Sequence, residues 1–168
     1  MENVILVTGG AGFIGSNFIL QRMELDPASI VNLDALTYAG NLQNLEATAN
    51  EQRYEFVQGD IADRQLMRHL LNRRKPRAIV HLAAESHVDR SIRGPDDFIR
   101  TNVGGTFALL EEVRAYWGGL ADQDRKNFRL LHVEARTRVV RASLKSIVLS
   151  MSCFYSSQTG GAASTLCL

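Results

Sequence analysis

A chain of 168 residues is long enough for one domain with a real core and too short for two sizeable ones. Nineteen Lys and Arg stand against 18 Asp and Glu, a formal net charge of +1, and no basic patch dominates, which argues against nucleic acid as a partner. No apolar run approaches the roughly 20 residues that span a bilayer. No basic region precedes an apolar one at the N-terminus as in a signal peptide, so a soluble cytoplasmic protein is expected.

The first element is the apolar run Val4-Ile5-Leu6-Val7, which reads as a strand. It feeds a glycine-rich loop, residues 8–15, and then Ser16-Asn17-Phe18-Ile19-Leu20, which is patterned as a helix. Strand, glycine loop and helix in that order form the context of a dinucleotide-binding fingerprint. Gly9 permits the tight turn, Gly12 lets the backbone approach a pyrophosphate, and Gly15 lets the helix pack close to the strand. The positive end of the helix then faces the ligand's charge. A second strand, residues 29–34, ends on Asp34, nineteen residues after Gly15. A carboxylate there accepts both hydroxyls of an adenosine ribose and repels a 2′-phosphate, which favours NAD over NADP. The alternative is that Asp34 only caps a loop.

Residues 41–46 open a short helical stretch, and Tyr54-Glu55-Phe56-Val57 is a third strand ending at Gly59-Asp60. Residues 61–72 carry Ile61, Leu66 and Leu70 at helical spacing and are closed by Arg73-Arg74-Lys75-Pro76. Residues 78–84 are nearly all apolar and predict a central fourth strand, in which His81 reads as a hydrogen-bonded core histidine. Residues 95–117 predict a long helix with Phe98, Val103, Phe107, Leu110 and Val113 as its core positions, and residues 128–133 a fifth strand. This alternation predicts an α/β fold, a doubly wound, Rossmann-like parallel sheet of order 3-2-1-4-5. Ligands bind such sheets at the carboxyl ends of the strands, where the order reverses. That rule gathers residues 9–15, Asp34, Asp60, Ile61 and residues 82–86 around one crevice.

Near residue 134 the composition changes. Residues 1–133 hold 15 Lys and Arg against 17 Asp and Glu, whereas residues 134–168 hold Arg136, Arg138, Arg141 and Lys145 against Glu134 alone. Seven serines and both cysteines, Cys153 and Cys167, lie in that tail. No cysteine or histidine spacing suits a metal, and the cysteines read as free thiols. The alternation over residues 146–151 is compatible with an edge strand, but a stretch of low order is the expectation. The expected division is therefore 1–133, an incomplete nucleotide-binding domain, and 134–168, an aberrant tail.

The motifs Thr8-Gly9-Gly10-Ala11-Gly12-Phe13-Ile14-Gly15, Leu36-Thr37-Tyr38-Ala39-Gly40-Asn41, residues 82–92 and Thr101-Asn102-Val103-Gly104-Gly105-Thr106 resemble the extended short-chain dehydrogenase/reductase superfamily. Within it they resemble the dTDP-glucose 4,6-dehydratase family, over residues 2–133 only. The resemblance implies a tightly bound NAD and a nucleotide-sugar substrate. It sets Phe13 and Ile14 along the pyrophosphate, and Asp34, Ala35, Leu36 and Thr37 around the adenosine ribose. It sets Asp60 and Ile61 at the adenine, and Leu82, Ala83, Ala84, Glu85, Ser86 and Thr101 along the path to the nicotinamide. Ser86 also lies near the sugar. Ala35 departs from the family, which often has lysine there. The family pairs as homodimers through two long helices per subunit, of which this chain has the one at residues 95–117.

The implied reaction is an internal redox cycle: a hydride leaves C4 of the glucose ring for NAD, water is lost across C5 and C6, and the hydride returns to C6. It needs a tyrosine base with a lysine four residues later, and an acid and a base from a Ser-Thr-Asp-Glu segment after the fifth strand. The lysines here are Lys75, Lys126 and Lys145, preceded at four residues by Leu71, Asp122 and Arg141, so no such pair exists. After Val133 the chain reads Glu134-Ala135-Arg136-Thr137-Arg138. No catalytic residue is therefore expected, and the chain is expected to be truncated and inactive. A shift of reading frame is the simplest hypothesis for the break: Ala-Arg-Thr-Arg can be encoded by GCA-CGG-ACG-AGG, which read from its third base encodes Thr-Asp-Glu. Two readings stay open: the cofactor half of a dehydratase, or a non-catalytic NAD-binding or subunit-interaction module.

Overall fold

The apolar run that opens the chain forms strand β1 (Glu2–Thr8) in a computed structural model that describes residues 2–85, 95–134 and 148–152. Helix α1 (Phe13–Leu25), β2 (Ser29–Asp34), a 3₁₀ helix (Leu42–Thr48), β3 (Tyr54–Gln58), α2 (Arg64–Arg74) and β4 (Pro76–His81) follow. Then come α3 (Pro95–Phe98), a π-wound segment (Ile99–Gly105), α4 (Thr106–Gly118), α5 (Asp122–Asn127), β5 (Arg129–Glu134) and β6 (Val148–Ser152). All strands pair in parallel in the order β3-β2-β1-β4-β5-β6. The Rossmann-like order 3-2-1-4-5 expected from the sequence is thus present. The alternation near residue 148 adds a sixth, edge strand, running from Leu130↔Val148 to Glu134↔Ser152.

Strands covered on both faces are apolar at successive positions, as β1 and β2 are. Val4, Leu6, Val31, Leu33, Ile79 and Leu130 face α2 and α4, where they pack with Met67, Leu71, Leu109 and Phe128. Ile5, Val7, Ile30 and Val80 face α1 and the 3₁₀ helix, where they pack with Ile19, Met23 and Leu45. Helix α2 begins later than the sequence periodicity implied, at Arg64, because the Asp63 side chain accepts from Gln65 N–H and Leu66 N–H. Ile61 is a buried residue of the preceding turn.

Two other expectations need correcting. The fourth strand does not reach residue 84. It ends at His81, and Leu82 N–H gives its last bond to Thr8 O (2.9 Å) because β1 stops there. The core face of the long helix is also not the expected one. Of the predicted positions only Val113 is buried, while Phe98, Val103, Phe107 and Leu110 are 39–62% exposed. The buried stripe is Gly105, Ala108, Leu109, Glu112 and Val113, at helical spacing. Gly105 decides this: a Cβ there would lie 2.9 Å from Ile61 Cγ1, so the smallest residue makes the closest approach and sets which face meets the sheet.

Candidate functional site

At the carboxyl ends of β1, β2 and β4 the glycine loop is held from three sides. Gly9 adopts φ +74°, a left-handed conformation suited to glycine, and donates its N–H to Leu33 O (2.9 Å). A Cβ on it would lie 2.5 Å from Ala83 N, so only a bare backbone fits against the end of β4. Gly15 brings α1 against the loop, since a Cβ there would be 2.3 Å from Gly9 O. At Gly12, by contrast, the nearest atom to a Cβ would be Gly9 O at 3.4 Å, so the loop is open on that side. The first N–H groups of α1 lack intrahelical acceptors, as at any helix start. Phe13 and Ile14, beside them, are 82% and 53% exposed.

Asp34 is nearly buried and joins two loops. Its Oδ2 accepts from Ala11 N–H and its Oδ1 from Leu36 N–H, both at 2.8 Å. Ala11 O in turn accepts from Asn41 N–H (2.9 Å), so both polar groups of Ala11 are held, one by the last residue of β2 and one by the loop that follows it. That loop turns through Leu36 at φ +53°, an unfavourable conformation for a leucine and one that surrounding contacts must enforce. An ionised carboxylate offers about four lone-pair positions, so these two bonds leave acceptor capacity for a vicinal diol. The capping and ribose readings of Asp34 are compatible. Ala35 and Thr37 are exposed beside it.

Asp60 Oδ1 accepts from Ala62 N–H (2.8 Å), and Ile61 is buried against Gly105, so Ile61 offers the crevice its backbone rather than its side chain. Leu82, Ala83, Ala84 and Glu85 form the loop after β4, and Glu85 is tied at both ends of its backbone: its N–H donates to Asn102 Oδ1 and its O accepts from Asn102 Nδ2, each at 2.8 Å. Thr101, half-buried, precedes Asn102 on the π-wound segment. The expected site residues from Gly9 to Glu85, with Thr101, thus meet at one end of the sheet. Ser86, His87 and Asp89 lie outside the described residues, as do Tyr155 and both cysteines.

His81 sits beneath this loop as the core histidine that the sequence suggested. Its Nδ1 hydrogen-bonds Thr8 Oγ1 (2.7 Å) and its Nε2 hydrogen-bonds Thr106 Oγ1 (3.1 Å). Burial, aided by the neighbouring His132 ring, pushes its pKa down to about 3, so it is neutral at ordinary pH. Burial likewise raises the Tyr54 hydroxyl, against the opposing hydrogen bond from Asn32. Among the described residues no group of three His, Cys, Asp or Glu could hold a metal, and no helix is long and apolar enough to cross a membrane. Sequence reasoning missed Asn41 and Asn102 as individual site residues. Both lie within motifs it quoted, but a single polar group acting on a backbone distant in sequence, the Asn41 N–H on Ala11 or the Asn102 side chain on Glu85, leaves no periodic signal.

The profile of the GDP-mannose 4,6 dehydratase family matches residues 6–135. The chain belongs to that family. A dTDP-glucose 4,6-dehydratase of Xanthomonas campestris pv. campestris (strain B100) is 56% identical over 128 residues, which cover 76% of this chain and 36% of the relative. The chain thus spans little more than a third of the length of such curated relatives. Among solved members of the wider fold, a dTDP-glucose 4,6-dehydratase from Bacillus anthracis in complex with NAD has a TM-score of 0.65 at 35% identity, covering 89% of this chain and 44% of that one. The Streptomyces venezuelae dTDP-glucose 4,6-dehydratase DesIV, with NAD and TYD bound, has a TM-score of 0.64 at 45% identity, covering 77% and 38%. For a member of the GDP-mannose 4,6 dehydratase family, these likenesses fall on the part of the chain that carries the glycine loop.

Proposed function

We propose that this chain is the NAD-holding part of a sugar-nucleotide 4,6-dehydratase whose whole form acts on dTDP-glucose in nucleotide-sugar metabolism. The observation that carries the reading is the glycine loop itself, preset by Gly9, Asp34 and Asn41 and open at Gly12. The fit to a dinucleotide is good. Backbone N–H groups at the start of α1 meet phosphate, the carboxylate of Asp34 accepts ribose hydroxyls, and Asp60 with the backbone of Ile61 faces the adenine. Residues 82–85 and Thr101 line the way to the nicotinamide; Ser86, outside the described residues, is assigned to the sugar by the family resemblance alone. When bound, NAD supplies the hydride acceptor and donor for the sugar ring.

The chain's own residues bind and orient; they do not move the protons of a dehydration. The sequence has no Tyr-x-x-x-Lys pair and no Ser-Thr-Asp-Glu segment after β5, so turnover by the 168-residue chain is not expected. The setting is the cytoplasm. A second reading, a subunit-interaction module, is favoured by the exposed apolar side chains of Phe98, Ile99, Val103, Phe107 and Leu110.

Calorimetric titration of the chain with NAD and NADP tests the proposal. NAD should bind, and NADP at least about tenfold more weakly, since a 2′-phosphate facing Asp34 costs upward of about 1.4 kcal/mol. Failure to bind NAD, or equal binding of both, would overturn the cofactor reading. Alkaline absorbance of a 4-keto product from dTDP-glucose would overturn the claim of no turnover.

A further inference from the structure

The π-wound segment (Ile99–Gly105) and the first residue of α4 make three contacts with the crevice floor and walls. Asn102 holds the Glu85 backbone at both ends, Gly105 abuts Ile61, and Thr106 Oγ1 bonds His81 Nε2. Short π windings are rare in helices and concentrate at functional sites. The ladder between β1 and β4 ends with Leu82 N–H to Thr8 O, so the backbone beyond it has left the sheet when it reaches Asn102.

We infer that Asn102 is a positioning residue for the dinucleotide crevice, setting the height and direction of residues 82–85 by a two-point clamp on Glu85. This rests on the NAD reading of the site. The chemistry singles out an amide. Asn102 must accept from one backbone group and donate to the other, which an ionised carboxylate of the same size cannot do and an aliphatic side chain cannot do at all. Asn102 itself touches backbone, so its effect on a cofactor passes through Glu85.

The test compares the full chain with Asn102→Ala and Asn102→Asp, using amide hydrogen exchange at Glu85 and NAD titration between pH 8 and 4.5. Glu85 N–H should be protected in the parent and should exchange about tenfold faster or more in Asn102→Ala, with the amides of β1 and β2 unchanged. NAD affinity should fall on the order of tenfold, the size of one to two net hydrogen bonds. In Asn102→Asp the deficit relative to the parent at the same pH should shrink as pH falls, because a protonated carboxyl regains the donor; in Asn102→Ala it should stay constant. A merely structural loss gives no such recovery. Equal Glu85 exchange in parent and Asn102→Ala, or pH-independent deficits in both variants, overturns the inference. If the parent binds no NAD, the cofactor reading fails, and Glu85 exchange still decides whether the clamp exists. If Asn102→Ala does not fold, the pH recovery of Asn102→Asp decides it.

Discussion

At the scale of single residues, the site depends on polar groups placed where a charge or a methyl would be costly. His81 links the ends of β1 and β4 to α4 as a neutral ring. Its folded pKa of about 3 lies below the 6.5 of an unperturbed imidazole, so in acid the unfolded chain takes up a proton that the folded chain refuses. The stability this group contributes is therefore complete above pH 6.5 and is lost as pH falls toward 3, at up to about 1.4 kcal/mol per pH unit. Urea unfolding at pH 7, 6, 5 and 4 should show a shallower acid loss in His81→Gln than in the parent. Parallel losses would mean that carboxylates alone drive the acid transition. The stability that Glu112 contributes is also lost as pH falls, at still lower pH, since the guanidinium groups of Arg68 and Arg64 hold its carboxyl below the usual range.

At the scale of elements, the long helix shows why local pattern and tertiary contact can disagree. Residues 103, 107 and 110 are large, apolar and helically spaced, so composition alone makes them the natural core face. The neighbouring face wins because Gly105 and Ala108 let the helix approach the sheet, and because Glu112 meets Arg64 at 2.8 Å and Arg68 at 2.9 Å across α2. The two faces predict opposite responses to mutation. Leu109→Ala should cost about 2–5 kcal/mol, as for other buried leucines. Phe107→Ser should change stability by less than about 0.5 kcal/mol, as an exposed position does. Denaturant midpoints of the two variants check this, and a larger loss for Phe107→Ser would restore the face read from sequence. The other elements were legible. Residues 29–34 are β2 end to end, and the cation run before Pro76 closes α2, with Lys75 in the left-handed conformation. The end of β4 was not legible, because Leu82-Ala83-Ala84 continues the apolar pattern of the strand while its partner β1 has already stopped.

At the scale of the whole molecule, the exposed stripe of Phe98, Ile99, Val103, Phe107 and Leu110 is apolar surface of the kind that marks an interaction site. Light scattering should show concentration-dependent self-association that Phe107→Lys weakens. A monomer at every concentration would argue that this face serves nothing in the chain as it stands. The division of labour between sequence and structure follows from the range of the forces. The glycine loop, the carboxylate that ends β2 and the strand order were readable in the sequence alone, because glycine's steric freedom, alternating apolar runs and short right-handed connections are local properties. Only the tertiary structure decided that β4 yields to Gly9 at His81, that α4 turns its small residues inward, and that Asn102 grips Glu85. Each of these is settled by the close approach of residues at least 17 positions apart, as Glu85 and Asn102 are, and no local pattern encodes that approach.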